Sequence, residues 1–320
     1  MPTVSVIVPL FNKGSLVVRA IESIFSQSFQ DFEVIVIDDG STDGSPDHVK
    51  QIKDSRLRLF HQTNAGPGAA RNRGVKESSS LYLAFLDADD EWYPEFLQTS
   101  ITNLSKNPDC ALSILNHLRG DNKTIATEME PCIVGITNGS WQLNPRIEPI
   151  ELWGNIIFAQ TWVVVCRRDI FQKYGGFYEH HCTYAEDIYQ WLQIFLNHKV
   201  YRDLTPLHWY HIEDSDLEGP NRLVPIPIFS FLEDPEPIRQ NCPSDYLLAL
   251  EKFFGLVAAM NFNIMYKQNN ISSAMYILKK FPMMKEYKKN WRWILFKLRI
   301  KLAFPWIVTF YKGFRHVLNP

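Results

Sequence analysis

Three carboxylates lie close together in the segment LAFLDADDEW (residues 83–92), where Asp87, Asp89 and Asp90 follow a short apolar run. Carboxylates at this spacing repel one another, and each is costly to desolvate unless a cation or several hydrogen-bond donors compensate it. Asp87 and Asp89 suit a hard divalent cation, and Mg²⁺ or Mn²⁺ fits better than zinc because no His/Cys cluster accompanies them. The alternative for an isolated acidic cluster is a strand that simply ends in solvent.

Alternating strand and helix patterns over the first hundred residues would position these acids. Near-continuous β-branched or apolar runs predict four strands, at 4–10, 32–38, 57–61 and 81–86. Apolar residues at helical spacing predict a helix between the first two strands, and a second helix over about 68–78. This order is typical of an α/β fold with an open, mainly parallel, Rossmann-like sheet flanked by helices. Right-handed crossovers place the carboxyl ends of the strands along one edge, where such sheets bind ligands.

The residues that follow these strands suit a nucleotide. Phe11 can stack on a base, Asp39 can accept a hydrogen bond from a ring N–H, and these contacts suit uracil. The segment NAGPGAARN (residues 64–72) adds a glycine-bearing helix start and Arg71. A dehydrogenase Rossmann motif and a P-loop are both excluded, because the turn after the first strand reads PLFNKGS. Phosphate binding without a glycine loop indicates a metal that would carry a diphosphate on Asp87 and Asp89.

Three ordered motifs resemble the family 2 glycosyltransferases, which have the GT-A fold. They are VSVIVPLFNKGS with its continuation to residue 45, NAGPGAARNRGV, and FLDADD. The resemblance is close over roughly the first 100 residues and looser to about residue 217. It implies the inverting transfer of a sugar from a nucleotide donor, usually a UDP-sugar, with a divalent metal. The donor-side residues that it implies are Pro9, Phe11 and Asp39 for the uridine, Arg71 near the nucleotide, Asp87 near ribose or metal, and Asp89 on the metal.

The resemblance also implies an acceptor-side base. The family's acid pair corresponds to Glu186 and Asp187 in YAEDIYQWLQIF (residues 184–195), with Asp187 as the base and Glu186 orienting the acceptor. Taken alone, a Glu-Asp pair at a helix start could equally offset the helix dipole. Ala185 departs from the glycine that is frequent before the pair. His211, in a segment that resembles the family's His-containing segment, is a candidate diphosphate or metal contact, and a satisfied surface histidine is the alternative.

Length and composition favour one large globular domain with an appended region. The chain has 320 residues, of which 46% are hydrophobic and 21% charged. We predict a glycosyltransferase domain over 1–225, with a nucleotide-binding half (1–105) and an acceptor half (106–225). A proline-rich linker over 226–243 and a small helical C-terminal region over 244–320 follow. Five widely spaced cysteines fit reduced thiols in a cytosolic compartment.

The C-terminal segment is strongly basic. From Lys279 onward, eleven Lys/Arg residues oppose one acid, Glu286, and aromatic and aliphatic residues keep helical spacing after residue 290. This pattern predicts a helix lying on an anionic membrane surface, and the alternative is a helix docked on protein. The first residues suggest a strand and not a signal peptide, and no run of about 18 uninterrupted apolar residues predicts a membrane span.

Together with the basic C-terminal segment, the resemblance implies a cytoplasmic enzyme, peripheral on the inner face of the membrane, that builds a bacterial surface polysaccharide. Its partners would be a nucleotide-sugar donor and a glycan or lipid-linked acceptor, with no nucleic acid. Two alternatives keep a related sheet: a non-catalytic nucleotide- or glycan-binding protein, and a sugar nucleotidyltransferase. The second would normally show a Gly-rich, Arg-containing loop after its first strand, which PLFNKGS is not.

Overall fold

Alternating strands and helices begin the chain as the sequence predicts. The computed structural model describes residues 1–120, 124–125, 136–180, 184–215 and 226–287. Strands β1 (Val4–Leu10), β2 (Phe32–Asp38) and β3 (Leu57–His61) have the predicted bounds, and β4 (Tyr82–Phe85) is one residue shorter at each end. Helices α1 (Leu16–Phe25), α2 (Ser45–Gln51) and α3 (Pro67–Glu77) connect them.

The rest of the described chain adds shorter strands and further helices. The strands are β5 (Glu91–Trp92), β6 (Cys110–Arg119), β7 (Thr124–Ile125), β8 (Gly139–Trp141), β9 (Val164–Arg167) and β10 (Lys199–Tyr210). The helices are α4 (Phe96–Lys106), α5 (Pro149–Phe158), α6 (Arg168–Lys173), α7 (Glu186–Asn197), α8 (Ser230–Glu233), α9 (Glu236–Asn241), α10 (Leu247–Lys267) and α11 (Ile271–Lys280).

One mixed sheet holds the strands of the described residues together, in the order β3-β2-β1-β4-β9-β6-β10-β5, with β7 on β6 and β8 on β10. The pairs β1/β2, β1/β4 and β2/β3 are parallel, as predicted, whereas β9 runs antiparallel to both β4 and β6. The carboxyl ends of β1, β2, β3 and β4 therefore meet at one edge. This sheet with flanking helices is the predicted GT-A, Rossmann-like architecture.

Burial on both faces explains the apolar runs of the central strands. In β1 the even-numbered residues, such as Val6 and Val8, join the apolar face of α1 and residues of α4 in one core cluster. Ile7, which points to the opposite face, belongs to a second cluster with residues of α3 and α7. Successive side chains of a strand point to opposite faces, so a strand covered by helices on both sides is apolar at every position.

The described residues divide into two compact units, one that ends at Leu250 and one that begins at Glu251. Residues 226–243, which we predicted to be a linker along the surface, contain α8 and α9, and Phe231, Leu232 and Ile238 are fully buried. The C-terminal region is helical, as predicted, through α10 and α11. The basic segment after residue 287 lies outside the described residues. The predicted domain boundaries stay predictions.

Candidate active site

A cavity of about 630 Å³ opens at the carboxyl edge of the sheet. All the predicted site residues except His211 line it: Pro9, Phe11, Asp39, Arg71, Asp87, Asp89, Glu186 and Asp187. The lining is contributed by segments from Pro9 to Phe229, so residues that are far apart in the chain share one space.

The loops after β1 and β2 hold each other by side-chain hydrogen bonds. Asn12 has a φ of 50°, and its Oδ1 accepts from the Thr42 N–H at 2.8 Å. The Ser45 Oγ accepts from the backbone N–H groups of Lys13 at 2.9 Å and Gly14 at 2.7 Å. These contacts fix the loop that presents Phe11, whose side chain is 45% exposed although it lines the cavity.

Asp39 organises the loop that precedes α3. Its carboxylate accepts from Gln62 Nε2 at 2.8 Å and from the backbone N–H groups of Ala65 and Gly66, each at 2.9 Å. The side chain is 3% exposed, and it lies beside the start of the helix that carries Arg71. A carboxylate has about four acceptor positions, so these three bonds leave room for one further donor, such as a ring N–H.

The three clustered aspartates occupy different environments. Asp87 and Asp89 line the cavity, whereas Asp90 is fully buried and contacts other residues of the protein. Asp90 Oδ2 lies 3.2 Å from His208 Nε2, and Asp90 Oδ1 accepts from the His211 N–H at 3.2 Å. Burial, followed by the charge of Asp87, raises the pKa of Asp90 well above its ordinary value. Asp90 therefore ties this loop to the end of β10.

The charged form of Asp89 lies in an environment where a nearby cation would stabilise it. Burial and the neighbouring Asp90 raise its pKa to about 7, against the opposing effect of Lys13. Lys13 Nζ lies 2.7 Å from Asp89 Oδ2 and also donates to the Asp214 carbonyl at 3.3 Å. The ammonium group occupies the place of a cation beside this oxygen. Together with Asp87, these hard oxygen atoms fit Mg²⁺ or Mn²⁺ by donor type.

Arg71 joins the donor side of the cavity to the Glu-Asp pair. Its Nη2 donates to Asp87 Oδ1 and its Nη1 to Glu186 Oε1, each at 2.6 Å, and the side chain is buried. Although burial lowers the pKa of Arg71, the charges of Asp87 and Glu186 outweigh it and raise the pKa above its ordinary value. The guanidinium thus stays charged and fixes two carboxylates in relation to each other.

Glu186 and Asp187 begin α7, as the sequence predicts. Burial raises the pKa of Glu186 to about 7, with Arg71 opposing the rise and Asp187 reinforcing it. Asp187 is half-buried, and its Oδ2 accepts from the Thr161 hydroxyl at 2.8 Å. Burial also raises the pKa of Asp187, against the effect of that hydrogen bond. A raised pKa suits a carboxylate that must take up a proton during a reaction.

The residue before the pair adopts a left-handed conformation. Ala185 has a φ of 62° and a ψ of 27°, and its carbonyl accepts from the Ser230 hydroxyl at 2.6 Å. This region favours glycine, which explains structurally why glycine is common at the equivalent position of the family that the sequence resembles. The chain keeps the turn with an alanine at a cost in backbone strain.

Helix α3 packs closely against the segment that leads to α7. A Cβ atom on Gly68 would lie 2.3 Å from the Tyr178 carbonyl oxygen, so only glycine allows this approach. Asn72 donates to the Phe177 carbonyl at 2.7 Å, and its Oδ1 accepts from the Phe177 N–H at 2.9 Å. The motif GPGAARN therefore sets the position of Glu186 as well as that of Arg71.

His211 lies near this site but does not line the cavity. Its Nδ1 is 3.0 Å from Glu213 Oε1, and its ring stacks on Trp209 with centroids 4.4 Å apart. One ligand atom each of His211, Glu213 and Asp214 lies within 4.8 Å of the others, although Asp214 is paired with Arg19 at 2.8 Å. A metal or diphosphate role for His211 stays a prediction.

The sequence did not indicate several cavity residues. Lys13 could have been found, because it lies in the loop directly after β1, where a charged side chain reaches the ligand edge. Thr161 offers no comparable signal, since it is 26 residues from its partner Asp187. Trp153 and Trp162 are aromatic residues of the kind found in any core, and only their place in the lining distinguishes them.

Comparison with known proteins agrees with this architecture. The model of Glycosyl transferase family 2 matches residues 5–175. The uncharacterized glycosyltransferase YibD of Escherichia coli (strain K12) is 44% identical over 100 residues, which are 31% of this chain and 29% of that protein. The uncharacterized glycosyltransferase EpsJ of Bacillus subtilis (strain 168) is 27% identical over 192 residues, 58% of this chain and 54% of EpsJ. The chain thus spans about half or less of the length of these relatives.

Two solved structures share the fold. TarS of S. aureus (residues 1–349), in complex with UDP-GlcNAc, superposes with a TM-score of 0.67 at 16% identity, over 88% of this chain and 82% of that one. The mannosyltransferase PcManGT of Pyrobaculum calidifontis, in complex with GDP-Man and Mn²⁺, gives a TM-score of 0.50 at 17% identity, over 98% and 82%.

Proposed function

Because this chain belongs to glycosyl transferase family 2, we propose that it is an inverting, metal-dependent glycosyltransferase. It moves a sugar from a nucleotide-sugar, preferably a UDP-sugar, to a hydroxyl of a glycan or lipid-linked acceptor in surface polysaccharide synthesis. The observation that carries the proposal is the contact of Arg71 with Asp87 and Glu186, each at 2.6 Å, which joins the aspartate cluster to the Glu-Asp pair within one cavity.

The donor nucleotide occupies the β1–β2 side of the cavity in this proposal. Phe11 stacks on the base, Asp39 accepts the ring N–H through its remaining acceptor position, and Pro9 completes the wall. The fold relatives were solved with UDP-GlcNAc in one case and GDP-Man in the other, so the fold accommodates both kinds of nucleotide. A ring N–H that faces a carboxylate is the feature that favours uracil here.

Asp89 and Asp87 hold the divalent cation in this proposal. A divalent cation held by these carboxylates would supply charge neutralisation to the diphosphate and so favour departure of the nucleotide. The ion pair between Lys13 Nζ and Asp89 Oδ2, 2.7 Å apart, supports a role for positive charge beside this carboxylate. PcManGT was solved with Mn²⁺, which supports the same use of a cation by this fold.

Asp187 takes the proton of the attacking hydroxyl. Its carboxylate is oriented by Thr161 at 2.8 Å and by its own helix start, and its raised pKa favours proton uptake. Glu186, fixed by Arg71, orients the acceptor beside it. In-line attack opposite the leaving nucleotide inverts the configuration of the transferred sugar.

Thermal unfolding in the presence of nucleotide-sugars tests the proposal. The wild-type protein should be stabilised by one of a panel of UDP-, GDP- and dTDP-sugars only when Mn²⁺ or Mg²⁺ is present. Asp89→Asn removes a charged oxygen ligand and should abolish this effect. Asp109→Asn, a change at an aspartate paired with Lys199 outside the cavity, should preserve it. Stabilisation of Asp89→Asn equal to that of the wild type would rule out Asp89 as the metal ligand.

We also propose that the enzyme acts at the cytoplasmic face of a membrane, where a lipid-linked acceptor would lie. The support is the excess of Lys/Arg and aromatic residues in the C-terminal segment, which lies outside the described residues. Among the described residues, Ser244–Lys267 is long and apolar enough to cross a membrane, with a mean hydropathy of 1.4. Because 56% of that window is buried within the protein, as in core helices of soluble proteins, this is weak evidence for a span.

A further inference from the structure

Residues 226–243 pack against the site, although their composition resembles that of a linker. The fully buried side chains of this segment are Ser230, Phe231, Leu232 and Ile238. Phe229 also belongs to the lining of the cavity that holds the Glu-Asp pair. The segment therefore forms part of the wall of the site, and its polar contacts lead to helix α7.

Two places on α7 receive hydrogen bonds from or give them to this segment. The Ser230 hydroxyl donates to the Ala185 carbonyl at 2.6 Å, directly before the first turn of the helix. Near the other end of the helix, Asn241 Nδ2 donates to Gln193 Oε1 at 2.7 Å, and the Asn241 carbonyl accepts from Asn197 Nδ2 at 2.9 Å. Both ends of α7 are therefore held by one short stretch of chain.

The bond to Ala185 acts on the residue whose backbone sets the direction of the acid pair. Ala185 has a φ of 62°, and a residue with a Cβ atom keeps this conformation only where its surroundings enforce it. Ser230 is 45 residues away in the chain and fully buried, so the bond is a tertiary contact and not part of a local turn. Because Glu186 and Asp187 follow directly, a rotation of the backbone at Ala185 would move both carboxylates.

We propose that Ser230 is a positioning residue for the transfer reaction: its hydroxyl holds the left-handed turn at Ala185 and thereby fixes the place of Asp187. This inference rests on the proposed function and adds to the site a residue from a segment that the sequence assigns to a linker. Reaction rates depend steeply on the placement of the reacting groups. Loss of one hydrogen bond that supports this placement should lower turnover about tenfold.

The contacts of Asn241 offer a comparison within the same segment. Gln193 is fully buried, so removing the Asn241 donor would leave a buried oxygen without this partner and destabilise the fold. Gln193 lies in the second half of α7 and does not line the cavity. Asn241→Ala should therefore lower the melting temperature and leave the acid pair in place.

Hydrogen–deuterium exchange of the full chain, without nucleotide or metal, tests whether Ser230 holds the turn. By helix geometry the amides of residues 189–191 make the first hydrogen bonds of α7, and in Ser230→Ala they should exchange about tenfold faster. In Asn241→Ala the exchange of these three amides should match the wild type. Ser100→Ala is the matched serine control, because Ser100 is fully buried in α4, outside the cavity lining, and should change neither exchange nor turnover.

Hydrolysis of nucleotide-sugars with Mn²⁺ tests the effect on the reaction. Water attacks the sugar carbon, Asp187 takes the proton of the water, and the nucleoside diphosphate leaves, so its release from each of a panel of UDP-, GDP- and dTDP-sugars is measured. For a donor that the wild type cleaves, Ser230→Ala should lower kcat about tenfold with KM for the donor unchanged, because the donor side of the cavity is not altered. Ser230→Thr retains the hydroxyl and should restore most of the turnover.

The two measurements separate this inference from the proposed function. Unchanged exchange at residues 189–191 in Ser230→Ala would overturn the inference, as would an unchanged kcat. An equal loss of kcat in Ser230→Ala and Asn241→Ala would also overturn it, since a general loosening of α7 would then explain both. Failure of the wild type to release any nucleoside diphosphate would count against the proposed function, whereas the exchange result would still decide whether Ser230 holds the turn.

Discussion

Replacing Glu186 by glutamine should stabilise the protein at neutral pH, although it removes a charge from an ion pair with Arg71. Glu186 is only 7% exposed, and burial raises its pKa from an ordinary 4.5 to about 7. The folded state therefore binds this proton more tightly than the unfolded chain does. The contribution of Glu186 to the free energy of unfolding of the wild type is therefore largest below pH 4.5. This contribution is lost as the pH rises from 4.5 to about 7.

The size of the effect follows from the proton affinity. Each tenfold change in proton affinity corresponds to about 1.4 kcal/mol, so ionising the buried carboxyl costs about 3 kcal/mol more than ionising it in the unfolded chain. Glutamine is always neutral and can still accept the hydrogen bond from Arg71. The free energies of unfolding of the two proteins should therefore be similar near pH 5 and should separate in favour of Glu186→Gln by up to about 3 kcal/mol at pH 8.

Urea unfolding of both proteins at pH 5, 6, 7 and 8, without metal or nucleotide, measures this difference. Glu77→Gln is the matched control, because Glu77 pairs with Arg73 at 2.7 Å on a partly exposed helix face. That change should alter the free energy of unfolding by less than about 1 kcal/mol at every pH. A Glu186→Gln variant that is less stable than the wild type by the same amount from pH 5 to pH 8 would refute the reasoning, since Glu186 would then be ionised throughout.

Three further changes test other parts of the structure. Asp187→Asn should leave donor affinity nearly intact and lower turnover by roughly 10²–10⁴, the range for a general base; near-normal turnover would move that role to Glu186. Ala185→Gly should relieve the left-handed strain and raise the free energy of unfolding by about 0.5–1 kcal/mol in urea titrations, whereas Ala69→Gly, within α3, should lower it. Deletion of residues after 288 should release the protein from anionic vesicles in co-sedimentation while donor binding persists; full-length protein that ignores vesicles at low salt would contradict the membrane proposal.

Local patterns were sufficient for the sheet and for the place of the site. Strands β1 and β2 have the predicted bounds because strands buried on both faces are apolar at successive positions, a signal that can be read from each segment alone. Right-handed connections then bring the strand ends to one edge, so the sequence alone assigns Phe11, Asp39 and Asp87 to one cavity.

Amino-acid composition did not predict burial in segment 226–243, because that burial depends on contact with residues far away in the chain. The proline-rich segment 226–243 resembles a linker in its residue types, yet Phe231 and Leu232 are fully buried. Two short helices can form between prolines, because proline is tolerated at the first turn of a helix. No periodicity within 18 residues can show which surface would cover such short elements.

The pairing of charges was decided by the tertiary structure alone. The sequence marks Arg71, Asp87 and Glu186 as polar residues at element ends, but their contacts join positions 16 and 115 residues apart. The same holds for Asp90, one residue from a predicted metal ligand, which turns away to His208, 118 residues along the chain. The spacing of apolar residues predicts only which side chains face the core. The partner of each charge is set by how helix α7 packs on the sheet and by where β10 pairs within it. That geometry exists only once the whole chain has folded.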